Sequence, residues 1–293
     1  MARSVYDIIT DRIIEKLETG TVPWQKPWNA EAGQPRNIRG TVYRGVNVFL
    51  LGCQGYESPY WLTFRQAREL GGSVRRGERG SPVVFWKWNE RAHESADGEA
   101  RTLRSPILRY YTVFNAAQCE GIPVPKLEQP HRVHEPIGEC EAIVAGYPSA
   151  PTIRHGGGAA FYVPAFDAVT LPVPEAFESG EAYYATLFHE LGHSTGHRSR
   201  LARDGVVNVA RFASHAYSCE ELVAEMTAAF LSARCGIERT LDNSAAYIAG
   251  WLRVLRRDAR MVVVAGAQAQ KAAEWILDER KAEERVAALA LAA

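Results

Sequence analysis

Apolar positions at the start of the chain recur with helical spacing. Val5, Ile8, Ile9, Ile13 and Leu17 fall on one stripe, Ser4 and Asp7 are placed as a capping box before it, and Gly20 follows it, so the chain is predicted to open with an amphipathic helix. Pro23 to Asn37 carries no period and reads as loop. Asn47 to Leu51 is a short apolar segment with helical character, and Thr63 starts a second short helix that ends at Gly71 and Gly72. The pattern then becomes strand-like. Pro82 to Trp88 and Ile107 to Phe114 are rich in β-branched and aromatic residues, and the polar stretch Asn89 to Ser105 between them is predicted to be a long hairpin loop.

Gly121 to about Pro136 is unpatterned and rich in Pro and Gly, which marks a linker and divides the chain into residues 1–132 and 133–293. Beyond it the pattern is helical. Glu181 to Ser194 is predicted as one helix, and Ser218 to Arg234, with Gly236 just past its end, as another. From Ser244 onward an Ala-rich pattern predicts two helices, interrupted at Gly250 and Gly266. The fold class expected is α+β, a small mixed N-terminal domain joined to a mainly helical C-terminal one. No internal repeat is visible.

Composition narrows the setting. The 293 residues are 46% hydrophobic and 23% charged, which excludes disordered, collagenous and coiled-coil classes. The apolar run Met261 to Ala267 is too short to span a bilayer, and Asp7, Asp11 and Arg12 interrupt any signal-peptide pattern. Five scattered cysteines without a C-x-x-C pair argue for a reducing compartment, so a cytoplasmic location is expected. The balanced net charge conceals an asymmetry. Residues 1–130 hold 18 Lys and Arg against 14 Asp and Glu, and within 36–88 nine basic residues face three acidic ones. Five of the seven tryptophans also lie in this half, which suggests that it meets a polyanion; surface Arg around a Trp-rich core is the alternative.

The sharpest chemical signal is His189-Glu190-Leu191-Gly192-His193, an H-E-x-x-H sequence on a predicted helix. Residues four apart share a face, so both imidazoles can meet one ion with Glu190 beside them as general base. Two histidines hydrogen-bonded on a buried face would be the structural alternative. Zinc needs a third ligand and an open position. Glu221 is assigned as that ligand and Glu225, four residues on, as the carboxylate behind a ligand imidazole. Glu220 and Glu225 are the next candidates for the third ligand, and His197 and His215 the outside ones. Glu221 could instead serve as the far member of a capping box opened by Ser218. His197 follows Gly196 directly, so the metzincin spacing is not met. His197, Tyr162 and Tyr217 could also contact substrate or a developing oxyanion. With Zn2+ or another divalent ion such as Mn2+ in place, the chemistry is peptide hydrolysis: the ion polarises a carbonyl while Glu190 moves the proton from water to the leaving amine.

In the basic half, Arg75, Arg76 and Arg79 precede a strand in which Trp86 and Trp88 point to one side and Lys87 to the other, and Arg44 and Asn47 follow Tyr43. Arg109 and Tyr111 extend a neighbouring face. Cations with interleaved aromatic rings suit a single-stranded nucleic acid, although the Trp side could equally be the core face of a small sheet.

The order of these motifs resembles a known family. GTVPWQKPW at Gly20–Trp28, Pro35-Arg36-Asn37, Tyr43-Arg44-Gly45-Val46-Asn47, WLTF at Trp61–Phe64, Gln66-Ala67, Leu70-Gly71-Gly72, VRRGE at Val74–Glu78, VFWK at Val84–Lys87 and YTVFN at Tyr111–Asn115 are similar to the N-terminal domain of ArdC-type antirestriction proteins. Tyr162, Pro164 and Asp167, Leu171-Pro172, the H-E-x-x-H helix, Gly196-His197 with Arg200-Leu201, and Glu220 to Glu225 continue the likeness into the second half. The resemblance implies a plasmid-encoded protein that binds single-stranded DNA and protects incoming DNA from host restriction during conjugation, with a C-terminal domain similar to zincin metallopeptidases. Non-enzymatic shielding of DNA around a structural metal, and DNA-dependent proteolysis of DNA-bound proteins, are the alternatives. Combined with the residue pattern, it gives Arg36, Tyr43, Arg44, Asn47, Trp61, Arg75, Arg76, Arg79, Trp86, Lys87, Trp88 and Tyr111 as candidate nucleic-acid contacts. A protein substrate is implied if the metal site is catalytic, and no membrane contact is expected.

Overall fold

In the computed structural model, which describes residues 3–25, 28, 33–94, 100–125, 136–208, 215–237 and 245–279, Ser4 and Asp7 close a reciprocal cap on the first helix, α1 (Val5–Glu18). Its apolar stripe is buried through Ile9, Ile13 and Leu17. A short strand β1 (Arg36–Asn37), helix α2 (Val46–Gly52), strand β2 (Tyr60–Leu62), helix α3 (Phe64–Glu69, capped by Thr63 and Gln66) and strand β3 (Ser73–Val74) follow. The hairpin of β4 (Ser81–Glu94) and β5 (Ala100–Asn115) and strand β6 (Cys119–Glu120) complete the N-terminal half. One sheet has the order β1-β2-β5-β4, parallel between β1 and β2 and antiparallel elsewhere; β3 pairs with β6.

The hairpin corrects the loop expected over Asn89–Ser105. The two strands stay in register from Ser81 opposite Val113 to Glu94 opposite Ala100, leaving only 95–99 beyond the pairing. The sequence of the outer stretch lacks apolar alternation, so the strand period is invisible there. The core of the linker expected over Gly121–Pro136, residues 126–135, lies outside the described residues, as does the C-terminal tail 280–293.

The second half contains α4 (Pro136–Gly146), strands β7 (Thr152–His155), β8 (Phe161–Val163) and β9 (Ala168–Leu171), and helices α5 (Gly180–Ser194), α6 (Asp204–Val207), α7 (His215–Cys235), α8 (Ala245–Arg257) and α9 (Met261–Ile276). Its sheet has the order β7-β9-β8, with β8 at the edge. These strands of three or four residues are too short to show a period, which is why the pattern missed them. The expected helix interruptions at Gly250 and Gly266 are also corrected. Both residues are helical, and the break falls at 258–260. Gly266 has another use: a Cβ there would lie 2.8 Å from the Val46 backbone nitrogen, so its bare backbone lets α9 approach α2.

That contact belongs to a core shared by both halves. Ile9, Ile13, Trp24, Val48 and Phe49 bury into the same cluster as Leu191, Met226, Phe230, Trp251 and Val262. Trp61, Val83, Val113 and Leu51 form a separate small cluster under the N-terminal sheet. Among the described residues, no helix is long and apolar enough to cross a membrane, and all five cysteines are free.

Candidate metal centre and aromatic hairpin

Helices α5 and α7 pack closely because small residues meet. A Cβ on Gly192 would stand 3.1 Å from Ala224 Cα and 3.3 Å from Thr227 Cβ. At that separation Glu221 of α7 reaches across to the histidines of α5. His189 Nε2 and His193 Nε2 are 3.2 Å apart, and the Glu221 carboxylate lies 3.5 Å from each. One donor atom from each of the three residues falls within 4.8 Å of the others. Two imidazoles and a carboxylate, all half-buried and converging from two helices, form a donor set suited to a divalent transition ion.

The outer nitrogens of both rings face carboxylates. His189 Nδ1 is 4.0 Å from Glu225 Oε1, the partner expected from the sequence. His193 Nδ1 is 3.4 Å from Glu220 Oε1, which the sequence reading placed only among alternative ligands. Neighbours on a helix diverge by about 100°, so Glu221 points into the cluster while Glu220 turns outward. There Arg203 takes it in a two-pronged pair, Nε to Oε2 at 2.9 Å and Nη2 to Oε1 at 2.5 Å. The same guanidinium donates to Thr195 Oγ1 and to the Gly192 carbonyl, tying the end of α5 to α7. Arg203 carried no spacing signal, since it sits in an irregular turn before α6.

Electrostatics match this arrangement. Burial alone would lower the His189 pKa, but the Glu221 hydrogen bond and the charges of Glu225 and Glu190 outweigh it and hold the pKa above the usual imidazole value. Burial raises the Glu221 carboxyl, yet the His189 hydrogen bond and the two imidazoles bring it down to about 2. Glu220 is likewise held low: burial would raise it, but the hydrogen bonds and charges of Arg203 and His193 together outweigh that cost. Tyr217 hydrogen-bonds Glu221, and burial beside that carboxylate pushes its phenol up to about 12.

The cluster opens into a cavity of about 430 Å³ lined by His189, Glu190, His193, Tyr217 and Glu221, with β8 residues Phe161 and Tyr162 opposite. Glu190, only 7% exposed, is on its wall. The capping alternative for Glu221 does not hold, because α7 is already helical at His215 and Ser218 lies inside it. His197 bonds Ser199 and does not line the cavity, and His215 pairs with Asp258 at 2.9 Å. Tyr162 lines the cavity, but its hydroxyl donates to Asp167. Asp167 in turn pairs with buried Arg200, which also bonds the Ser194 and Ser149 carbonyls and so anchors the β8–β9 turn on α5.

The candidate nucleic-acid residues divide into two groups. Trp61 is 2% exposed and belongs to the small core, so the expectation of a stacking ring there is corrected. Asn47 is also structural: its amide donates to the Val84 carbonyl and accepts from the Val84 N–H, tying α2 to β4. Arg44 pairs with Glu274 of α9, and Arg36 bonds the Gln34 carbonyl beside the junction of the halves. Tyr43 is half-buried and hydrogen-bonded to Tyr111, and its phenol is held well above the usual range by burial first and Tyr111 second. Arg75 bonds Glu78 and the Ala117 carbonyl; Arg76 and Arg79 are exposed.

On the hairpin, Trp86 and Trp88 are 48% and 61% exposed, which excludes the core-face alternative. The register puts Tyr110 on their face and Arg109 and Tyr111 on the opposite one with Phe85 and Lys87. Phe85 and Tyr111 rings lie 5.7 Å apart, both exposed, so the basic face carries its own aromatic pair. Phe85 was not among the expected contacts, although strict alternation with Lys87 places it there.

Residues 3–114 match the model for the N-terminal domain of anti-restriction factor ArdC, and residues 139–268 match a zincin-like metallopeptidase model, MPTase-PolyVal. The chain is 36% identical to DNA primase TraC of Escherichia coli over 93% of its own length but only 27% of the primase, so it spans about a quarter of that relative. It is also 36% identical to an uncharacterized protein, y4eC, of Sinorhizobium fredii (strain NBRC 101917 / NGR234), covering 93% of this chain and 91% of that one. Among solved structures, metal-free antirestriction ArdC from plasmid R388 matches with a TM-score of 0.73 and 40% identity, over 96% of this chain and 99% of that one. The Mn(II)-bound form of the same protein matches at 0.72 and 39%, over 94% and 98%. With both domain models matched in order and 40% identity along nearly the whole of a solved ArdC chain, this protein belongs to the ArdC family of antirestriction proteins.

Proposed function

We propose that the protein binds single-stranded DNA through its N-terminal hairpin, protects incoming DNA from restriction in the cytoplasm of the recipient cell, and hydrolyses a peptide bond at the His189–His193–Glu221 centre. The observation that carries the hydrolytic part is the convergence of three donors from two helices with Glu190 on the wall of the same open cavity. His189, His193 and Glu221 hold the ion, for which the donor set suits zinc and also admits Mn(II). When bound, a divalent ion supplies a Lewis acid that acidifies water and polarises a carbonyl. Glu190 accepts the proton of the attacking water and delivers it to the departing amine. Glu225 and Glu220 fix the two imidazole orientations from behind.

The DNA face is assigned to Phe85, Lys87, Arg109 and Tyr111, where rings that stack on unpaired bases alternate with cations that meet phosphates. Trp86 and Trp88 supply a second stacking surface on the reverse of the hairpin. The test is conjugative transfer into a restricting host, with wild type and Glu190→Gln compared and metal content measured on both. Loss of protection with metal and DNA binding intact supports hydrolysis. Full protection by Glu190→Gln would leave a shield built on the hairpin, with the ion purely structural.

A further inference from the structure

A second cavity, about 580 Å³, adjoins the metal centre and shares Tyr217, Glu221 and Glu225 with it as one wall. Its other wall is a stripe along α8 in which Gly250, Arg253, Val254 and Arg257 recur with helical spacing. The floor is held by the other half of the molecule: Trp24 donates its indole N–H to the Tyr247 hydroxyl at 3.3 Å and packs edge-on against Trp251 at 5.6 Å. Those rings are thereby engaged and offer the cavity an apolar surface, not a free face for stacking.

The cavity carries both signs of charge, but its acidic groups are engaged elsewhere. Glu221 and Glu225 are turned toward His189, and Asp258 is taken by His215. Arg256, on the next face of α8, is paired with Glu18. Arg253 and Arg257 are exposed at the rim, and no hydrogen bond or ion pair involves them among the described residues. The site therefore combines an apolar channel for a methylene stem with two guanidinium groups at its end.

We propose that this cavity is the recognition subsite for an acidic side chain of the peptide substrate, at a position adjoining the scissile bond. The inference rests on the peptidase reading and adds the substrate class to it. Guanidinium forks match a carboxylate in geometry as well as charge. Gly250 lies in the middle of this wall, and nothing stands within 4 Å of where its Cβ would be. A larger residue there extends into the cavity.

The experiment uses the full-length, metal-loaded Glu190→Gln variant to select from a randomised peptide mixture, with bound peptides sequenced and their affinities measured by fluorescence anisotropy. Wild-type protein then digests the same mixture, and its cleavage positions are mapped. Expected are peptides with Glu or Asp at one fixed position, bound about tenfold more tightly than their Gln or Asn counterparts. Arg253→Ala with Arg257→Ala removes that preference. Gly250→Phe lowers binding of the whole set while metal content stays unchanged. An acidic preference unaffected by the arginine changes overturns the subsite, as does peptide binding with no acidic preference; both leave the peptidase reading standing. Competition by a single-stranded oligonucleotide that disappears in the arginine variant also overturns it, by making the rim a phosphate site. Neither binding nor cleavage of any peptide overturns the peptidase reading together with the subsite.

Discussion

Gly192 of α5 and Ala224 of α7 meet at a separation that leaves no space for a methyl group, with Ala224 Cα 3.1 Å from where a Gly192 Cβ would stand. The third metal donor depends on this contact, because Glu221 is one turn from Ala224 on the same helix. Gly192→Ala forces the helices apart by a few tenths of an ångström. Helix propensity favours Ala by about 1 kcal/mol, but overpacking costs about 1–3 kcal/mol, so thermal stability falls slightly. Metal affinity falls further, by about tenfold or more, since ligand placement is sensitive to such shifts. Isothermal titration with Mn(II) and a melting curve check both, and unchanged metal affinity would separate the helix contact from the site.

The Arg203–Glu220–His193 relay makes a second prediction. Glu220→Gln keeps the shape but weakens the support of the His193 ring, and lowers metal affinity by about 10–100-fold. Arg203→Met leaves Glu220 buried without its cation, and costs about 3–5 kcal/mol of stability. Combining the two restores part of that loss, because no buried charge remains uncompensated. Chemical denaturation of the single and double variants measures the coupling, and strictly additive losses would show that the pair does not act as a unit.

How much of this could be read in the chain differs by element. The capped helices α1 and α3 and the H-E-x-x-H helix were legible because cap, period and spacing coincide within a few residues. Glu221 was legible as a member of the donor cluster through its helix face, whereas Glu220 needed the position of Arg203, which comes from a turn with no period. The strands of the C-terminal sheet are too short to alternate visibly. Trp61 and Asn47 read as recognition residues because aromatic and amide side chains serve equally in a core and on a surface. Only burial and the bonds to Val84 separate the two uses.

Metal binding and pH are linked with a definite sign. In the metal-free protein His189 titrates above its ordinary 6.5, so the stability it contributes is full below that pH and is lost as pH rises through the raised value. Glu221 titrates near 2 and not 4.5, so its contribution is present above 4.5 and is lost as pH falls toward 2. The metal-free fold is therefore favoured most by this pair between 4.5 and 6.5. An ion requires the neutral imidazole and displaces its proton. The rise in melting temperature on adding Mn(II) or Zn(II) should grow from about pH 5 to about pH 8. A constant increment across that range would remove His189 as the proton released.

The two faces of the hairpin can be separated by salt. Lys87 and Arg109 share a face with Phe85 and Tyr111, while Trp86 and Trp88 share theirs with Tyr110. If phosphates follow the basic face, Lys87→Ala and Arg109→Ala each reduce the slope of log affinity against log salt by about 0.7, the value per contact for single strands. Phe85→Ala and Tyr111→Ala each cost about 1–3 kcal/mol of binding at fixed salt, as expected for one unstacked base, and leave the slope unchanged. Trp86→Ala and Trp88→Ala then produce smaller losses, because bases on their side would have to leave the cations. Electrophoretic or anisotropy titrations with a short oligonucleotide at several salt concentrations measure both quantities. The reverse ranking, with the tryptophans dominant and the slope insensitive to Lys87 and Arg109, would move the DNA to the Trp face and require its phosphates to be met by Arg76 and Arg79, which precede β4.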